Sequence, residues 1–554
     1  MPRVNLSVAG AAPRSVPAGT PAVEVLPPTA PNGLPVLAAC FNNDVVTLRQ
    51  PLSVNGTLDP LTLADVHGWR VYRWSLTFLL GMAMHEVFPG RVFRVRHPIG
   101  GGLFCSVDWR PEQAADIAGA VARIETRMRE RVRDDLPVAC IQVAYAEAIA
   151  NLRANRQLDQ LHLLAYRNPP QVTLMRCGDY LDMRHEPLIH RTGLLDRFAL
   201  TPYESGFVLR LPAQEAPDRV APFNPQPHLI RIYQEHISWG RILGITTVGE
   251  LNEAIATRRA GEVIETVEAL HNKKLARIAD QIGGQPSRPR LVLIAGPSSS
   301  GKTTMAKRLM THLRVNGCQP FMISTDDYFV GDALNPRDEQ GNLDYEHLHA
   351  LDLPRLNRDL NDLLAGRPVH LPRFNFHTRS REERPDAVSL GGDSVILIEG
   401  IHALNPELTA QVPRGDKFLI YISALTQLAI DFNSRISTTD NRLLRRMVRD
   451  NQFRKHPPLQ TLRRWPSVLR GEAHWIFPYQ HLADAVFNSA LDYELAILKP
   501  FAAALLNEIK PTDPEYAEAR RLSGILHCFV ALAHDDVPGD SILREYIGGS
   551  RLDY

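Results

Sequence analysis

Apolar runs of strand length alternate with helix-like segments in the second half of the chain. Residues 291–295 are all apolar, and residues 305–313 then carry apolar side chains at helical spacing. Further largely apolar runs follow at 320–324 and 394–398. A strand that is covered on both faces has a continuous apolar run, so this pattern predicts an α/β domain with a parallel sheet.

The first half of the chain has shorter elements. Small strands and one short helix-like piece are indicated by apolar stretches, separated by prolines and turn residues, at 4–8, 22–26, 36–40 and 45–48. Helical spacing of apolar residues predicts longer helices at 69–88, at 111–135 and within 226–285. The change of pattern between the two halves predicts more than one domain.

Composition supports this organisation and limits the partners. A chain of 554 residues is too long for one core, and its 44% hydrophobic and 22% charged residues are ordinary for a soluble protein. The net charge of +1 gives no overall basic field, so DNA is not an expected partner. The six cysteines form no C-x-x-C pair, and neither a signal peptide nor a membrane-length apolar run is present. The sequence predicts a cytoplasmic protein with no membrane partner.

Residues 296–303 match the phosphate-loop pattern G-x-x-x-x-G-K-[ST] at every position. Gly296 and Gly301 let the backbone turn so that several N–H groups converge on one phosphate. Lys302 adds a positive charge at the β/γ oxygens, and the hydroxyl of Thr303 can reach Mg²⁺. The predicted ATP site consists of Gly296, Ser298, Ser299, Ser300, Gly301, Lys302, Thr303 and Thr304.

Two acids follow predicted strands at the edge of the sheet where α/β proteins bind ligands. Asp326 lies just after the run 320–324, where a carboxylate can accept the proton of an attacking hydroxyl. Capping of a helix is the alternative role for Asp326. Glu399 ends the run 394–398, the position of an acid that holds Mg²⁺ or its water.

An arginine cluster follows in a predicted helix. The arginines fall on one side of this helix and would repel one another without anions. Because guanidinium groups match phosphate oxygens, the pattern favours a lid that closes on ATP. An RNA-binding stripe is the alternative, but no aromatic residue separates the arginines. The cluster consists of Arg442, Arg445, Arg446 and Arg449.

Taken together, residues 286–505 resemble the uridine kinase/phosphoribulokinase family of P-loop kinases. The resemblance implies ATP and Mg²⁺ as cofactors. It implies two catalytic residues, Asp326 as the base and Lys302 as the group that stabilises charge on the transferred phosphoryl group. It also implies that Thr303, Glu399 and Asp326 hold the metal. It also implies contacts with a nucleoside substrate. Arg379 stands where the family has its uracil-reading histidine, which leaves the base open. The implied substrate residues are Asp344, Phe374, Phe376, Arg379 and Arg442.

The first half resembles a different family. Residues 1–66 resemble the β-grasp (TGS) module at the front of threonyl-tRNA synthetases, and residues 67–225 resemble the α+β editing domain of those enzymes. The editing histidines and cysteine of that family fall on Trp74, Phe78, Arg184 and Leu188 here, so the sequence predicts a fold that has lost its hydrolytic chemistry. Residues 226–285 would be a helical linker, and residues 506–554 a helical cap.

The sequence therefore predicts an ATP- and Mg²⁺-dependent kinase of a nucleoside 5′-hydroxyl. Two alternatives stay open. One is a kinase of another small alcohol such as a sugar phosphate, and the other is an RNA- or tRNA-linked protein that uses ATP as a switch. Contact with tRNA or RNA would involve residues 1–225, and the chain could form a homo-oligomer.

Overall fold

We analysed a computed structural model of the chain. It describes residues 2–9, 12–225, 239–240, 242–284, 288–338, 341–375, 378 and 380–553. These residues divide into two compact units, each built from several stretches of sequence. The first unit comprises 1–258, 427–436 and 506–530, and the second comprises 259–426, 437–505 and 531–554.

The second unit is organised around a five-stranded sheet. Every neighbouring pair of strands is parallel, which confirms the predicted α/β fold. The strands have uninterrupted apolar cores because the sheet is covered on both faces. In spatial order they are Gln319–Ser324, Ser394–Glu399, Leu291–Ala295, Lys417–Ser423 and Ala485–Asn488.

Helices and one hairpin complete the second unit. The hairpin joins Val369–Asn375 to Ser380–Val388 in antiparallel register. Short 3₁₀ segments occur at Thr325–Tyr328, Leu348–Ala350, Pro406–Thr409, Arg414–Asp416 and Phe477–Leu482. The α-helices are Ala260–Gly283, Lys302–Val315, Leu353–Leu364, Thr438–Arg454, Pro458–Trp475, Glu494–Leu506 and Arg544–Ile547.

The first unit begins with a mixed sheet around a small apolar core. The predicted short helix-like piece is the helix Ala22–Val25, which buries Ala22 and Val25. A two-stranded ladder pairs Thr20–Pro21 with Pro51–Leu52. The sheet strands, in spatial order, are Arg14–Pro17, Arg3–Val8, Gly56–Leu61, Ala38–Phe41 and Asp44–Val46.

The remainder of the first unit packs around the long helix Val66–Val87, which is buried along most of its length. A four-stranded antiparallel sheet consists of Ala199–Tyr203, Gly206–Arg210, Gly102–Val107 and Phe93–Ile99. A three-stranded sheet consists of Ala139–Ala144, Gln171–Cys177 and Tyr180–Met183. The other helices are Pro111–Ala114, Ile117–Asp134, Tyr145–Ala154, Leu158–Leu164, Val248–Ala256 and Tyr516–His527, with a 3₁₀ segment at Thr192–Leu194.

The five predicted domains are finer than these two units and stay a prediction. The predicted cap at 506–554 divides between the units, and so does the predicted linker at 226–285. Residues 226–238 of that linker lie outside the described residues. Among the helices that the structure describes, none combines the length and apolar character needed to cross a bilayer.

Candidate active site

The phosphate loop connects the buried strand Leu291–Ala295 to the helix Lys302–Val315. Gly301 has a φ of +84°, and a Cβ at this position would lie 2.6 Å from Cγ2 of Ile542. A Cβ on Gly296 would lie 2.2 Å from the carbonyl oxygen of Ile422. Both positions therefore require glycine, one for its backbone conformation and both for the lack of space.

Polar groups of the loop are arranged for an anion. The Nζ of Lys302 donates to the carbonyl oxygens of Gly296, at 3.0 Å, and Pro297, at 3.2 Å, so its charge is held over the loop. The Oγ of Ser300 is buried and has no hydrogen-bond partner among the described residues. A phosphate bound at this helix N-terminus would supply acceptors for such groups.

The carboxylate of Glu399 lies beside the phosphate loop. Glu399 accepts hydrogen bonds from the hydroxyls of Ser324, at 2.9 Å, and Thr303, at 3.3 Å. Parallel pairing of Ser324 with Glu399 brings the ends of the two strands together. The exposed Asp326 follows at the end of the same strand as Ser324. These oxygen ligands fit Mg²⁺, which Thr303, Glu399 and Asp326 would hold together with phosphate oxygens and water.

The pKa of the Glu399 carboxyl is raised above its ordinary value. The residue is 6% exposed, and burial is the main cause that raises its pKa to about 7. The negative charge of Asp326 raises this pKa further, whereas the positive charge of Lys302 lowers it. The charges of Asp326 and Lys302 therefore act on the same buried acid, as expected for neighbours in one site.

We expect Glu399→Gln to raise the thermal unfolding midpoint of the ligand-free protein at pH 8 but not at pH 5. A raised folded-state pKa means that the native protein binds this proton more tightly than the unfolded chain does. Stability is therefore lost as the pH rises from the ordinary value near 4.5 through about 7. Glutamine mimics the protonated acid and removes this loss, which is on the order of 1–3 kcal/mol.

Unfolding midpoints of wild type and Glu399→Gln should be measured at both pH values without nucleotide. Glu407→Gln, the same change at an exposed glutamate, is the matched control and should show no such difference. An equal effect of Glu399→Gln at pH 5 and pH 8 would contradict the assigned titration.

Two of the predicted lid arginines are buried inside the unit. Arg445 is fully buried, and its Nε lies 2.6 Å from a carboxylate oxygen of Glu494. Arg442 is 2% exposed, pairs with Glu472 and donates from Nε to the carbonyl oxygen of Ser298 at 2.8 Å. Carboxylates from later helices therefore neutralise these two arginines, and the binding of ATP by the cluster stays a prediction.

The other two arginines are less buried. Arg446 donates from Nη1 to the hydroxyl of Ser298 at 2.9 Å and lies 3.3 Å from Asp450. Arg449 pairs with Asp450 at 2.9 Å. Of the predicted cluster, Arg446 is therefore the guanidinium that contacts a side chain of the phosphate loop.

Comparisons with known proteins match this part of the chain to one family of kinases. Residues 291–496 match the model of the Phosphoribulokinase / Uridine kinase family. This part of the chain is therefore similar to members of that family. A uridine kinase of Deinococcus deserti is 26% identical over 200 residues, which are 36% of this chain and 87% of the relative. A uridine kinase of Lactobacillus helveticus is 25% identical over 218 residues, 39% of this chain and 93% of the relative. The protein is a phosphotransferase.

Two further matches extend the comparison. A threonine–tRNA ligase of Syntrophotalea carbinolica is 31% identical over 166 residues, which are 30% of this chain and 26% of the ligase. The solved structure of a possible uridine kinase from Bacillus stearothermophilus has 23% identity and a TM-score of 0.28, and the match covers 39% of this chain and 98% of that structure.

The predicted substrate residues of the kinase occupy different settings. Phe374 is buried at the end of the hairpin strand, with its ring centroid 5.5 Å from that of Phe329. Asp344 is half-buried and accepts a hydrogen bond from the backbone N–H of Glu346 at 3.0 Å. Arg442 lies against the phosphate loop, as described above. Phe376 and Arg379 lie outside the described residues.

Several residues that support the kinase loop were missed by the sequence analysis. The hydroxyl of Tyr546 donates to the carbonyl oxygen of Ser299 at 3.0 Å. The hydroxyl of the predicted ATP-site residue Thr304 donates to Glu545 at 2.6 Å. Glu472 accepts from the N–H of Ser298 at 3.2 Å. The partners are separated by at least 174 residues, so no local pattern could identify them.

Glu346 is a further acid that the sequence analysis missed at the kinase site. Burial raises its pKa to about 7, against the charge of Arg446, which lowers it. The charges of Lys302 and Asp326 also act on this carboxyl. Glu346 lies two positions after the predicted substrate residue Asp344. This closeness in sequence is the feature from which its place at the site could have been predicted.

Proposed function

We propose that this protein transfers the γ-phosphoryl group of ATP to the 5′-hydroxyl of a nucleoside. The observation that carries the proposal is the position of Asp326, which is exposed at the strand end next to Glu399 and Thr303. A switch that only binds ATP does not require a base that faces an acceptor hydroxyl. Relatives that are named uridine kinases favour a nucleoside as the acceptor.

The roles of the residues follow from charge and geometry. The loop amides and Lys302 would bind the β/γ phosphates and stabilise charge that develops during transfer. Thr303 and Glu399 would hold Mg²⁺, which supplies charge neutralisation at the phosphate oxygens when bound. Asp326 would orient the acceptor hydroxyl and accept its proton. Arg446, held at the loop by Ser298, would add a further positive charge.

The acceptor would lie between the strand ends and the hairpin. Phe374 would contribute an apolar wall, and Asp344 could accept hydrogen bonds from the hydroxyls of a ribose. Phe376 and Arg379 remain proposals from the family resemblance. The backbone N–H of Phe374 donates to the carboxylate of Asp327 at 3.2 Å, which links the hairpin to the segment that carries Asp326.

A screen of acceptors tests this function directly. The full-length protein should be incubated with ATP, Mg²⁺ and single nucleosides or sugar phosphates, and ADP and the phosphorylated product measured. A nucleoside 5′-monophosphate is the expected product. If only sugar phosphates are phosphorylated, the acceptor is another alcohol and not a nucleoside. If no compound is phosphorylated, the result favours the ATP-dependent switch.

We also propose that the first unit has no editing activity. Full-length protein is expected not to hydrolyse mischarged threonine-accepting tRNA, with or without added zinc, because Trp74, Arg184 and Leu188 offer neither metal ligands nor a base. A threonyl-tRNA synthetase with an intact editing domain serves as the positive control. Zinc-dependent deacylation by the wild-type chain would contradict this prediction.

A further inference from the structure

The first unit contains a cavity of about 720 Å³. This volume lies in the range of small-molecule sites, roughly 300–1,000 Å³. Four arginines but only two carboxylates, Asp44 and Glu186, line the cavity. Apolar residues are also part of the lining, and of these Trp74 is half-buried whereas Leu188 is fully buried. The lining therefore contains more arginines than carboxylates, together with apolar residues.

Arg184 is the most buried of these arginines. The residue is 7% exposed, and its Nη2 lies 2.8 Å from a carboxylate oxygen of Asp182. Its Nε, however, is buried and has no hydrogen-bond partner within the described part of the chain. A guanidinium has five N–H donors, so the ion pair with Asp182 leaves donors for a second acceptor.

Arg167 is the second arginine with unused hydrogen-bonding capacity. Its Nε is also buried without a hydrogen-bond partner, and its guanidinium forms no ion pair with any residue that the structure describes. Arg521 differs, because its Nε donates to Glu518 at 3.0 Å. Arg520 lies 3.7 Å from Asp44. Arg167 and Arg184 are thus the cavity arginines that best suit an external anion.

Three of the four residues that stand at the editing positions of the resembling family line this same cavity. Trp74, Arg184 and Leu188 stand where the resembling family has metal-binding or catalytic side chains, and all three contribute to the lining. Tryptophan and leucine contact apolar groups, whereas a buried arginine favours an anion. Compared with that family, the cavity therefore lacks the side chains for hydrolysis and contains side chains that suit the binding of an anion with an apolar body.

We propose that the cavity binds a small organic anion. Arg167 and Arg184 would hold a phosphate or carboxylate group, and the half-buried Trp74 would contact the apolar or aromatic body that carries it. This binding is independent of the phosphate loop and of the kinase reaction.

Calorimetric titration of the full-length protein tests the proposal, with the phosphate loop saturated by Mg·ADP. The probes are adenosine 5′-monophosphate and benzoate, each compared with its uncharged counterpart, adenosine or benzamide. At least one anion should bind about 10-fold or more tightly than its counterpart. A preference for the monophosphate identifies phosphate as the recognised group, and a preference for benzoate identifies carboxylate.

Two variants locate the binding. Arg167→Gln and Arg184→Gln should each weaken binding of the preferred anion by about 10-fold or more. Arg133→Gln, at an exposed arginine outside the cavity, should leave it unchanged. Arg167 is only half-buried, so its variant decides the question even where Arg184→Gln fails to fold. Equal affinity of wild type and Arg167→Gln, or no preference for either anion over its counterpart, would overturn the proposal.

Discussion

Asp326→Asn is expected to lower phosphoryl transfer to the nucleoside by roughly 10²–10⁴-fold, the scale of general-base catalysis. The substitution preserves size but removes the charge that accepts the proton of the attacking hydroxyl. ATP affinity should be preserved or rise slightly, because one negative charge near the γ-phosphate disappears while Lys302 and the loop amides remain. Loss of this charge should also lower the pKa of Glu399, which Asp326 raises in the wild type.

The measurement pairs single-turnover phosphoryl transfer with calorimetric ATP affinity. Asp327→Asn is the matched control, because Asp327 is the adjacent acid and pairs with Arg384 at 3.0 Å. Asp327→Asn should lower the rate of transfer by less than about 10-fold, since the role of Asp327 is to position the hairpin. Transfer that survives Asp326→Asn unchanged would show that the base lies elsewhere.

Lys302→Ala is expected to lower turnover by about 10²–10³-fold, the effect of losing one strong donor to the transition state. ATP affinity should fall as well, because the same charge contacts the phosphates in the bound state. The fold should persist, since within the described residues the Nζ of Lys302 donates only to the carbonyl oxygens of Gly296 and Pro297. Asp326→Asn and Lys302→Ala are thus distinguished by their effects on ATP affinity.

Lys302→Ala should be compared with Lys273→Ala, the same change at an exposed position of the helix Ala260–Gly283. Turnover and ATP affinity of this control should match the wild type. Circular dichroism and thermal unfolding establish that both variants fold. A folded Lys302→Ala protein with wild-type turnover would remove Lys302 from the proposed mechanism.

The sequence by itself determined three of the five sheet strands and the phosphate loop of the second unit. Strands buried on both faces have continuous apolar runs, so Leu291–Ala295 and Ser394–Glu399 could be located within a residue or two. The loop is equally local, because backbone conformation and close packing require glycine at 296 and 301. Glu399 could be placed for the same reason, since it ends a strand of a parallel sheet.

Only the tertiary structure decided the roles of the charged side chains in the helix Thr438–Arg454. Their spacing within the helix favoured a lid that closes on ATP, and in the structure Arg442 and Arg445 are neutralised by Glu472 and Glu494 from later helices. Burial of a charge depends on a partner in space, and a sequence pattern contains no information about such a partner. The same reason explains why the contact between Tyr546 and Ser299 was missed.

The division into units was also a tertiary property. Local patterns predicted the elements of the first half, including the helix Val66–Val87, but not that residues 427–436 and 506–530 belong with them. Likewise, the sequence placed Trp74 and Arg184 at the positions of lost editing residues, whereas the structure brings both into one cavity with Arg167. Periodicity records which face of an element is buried, and chain topology decides what that face meets.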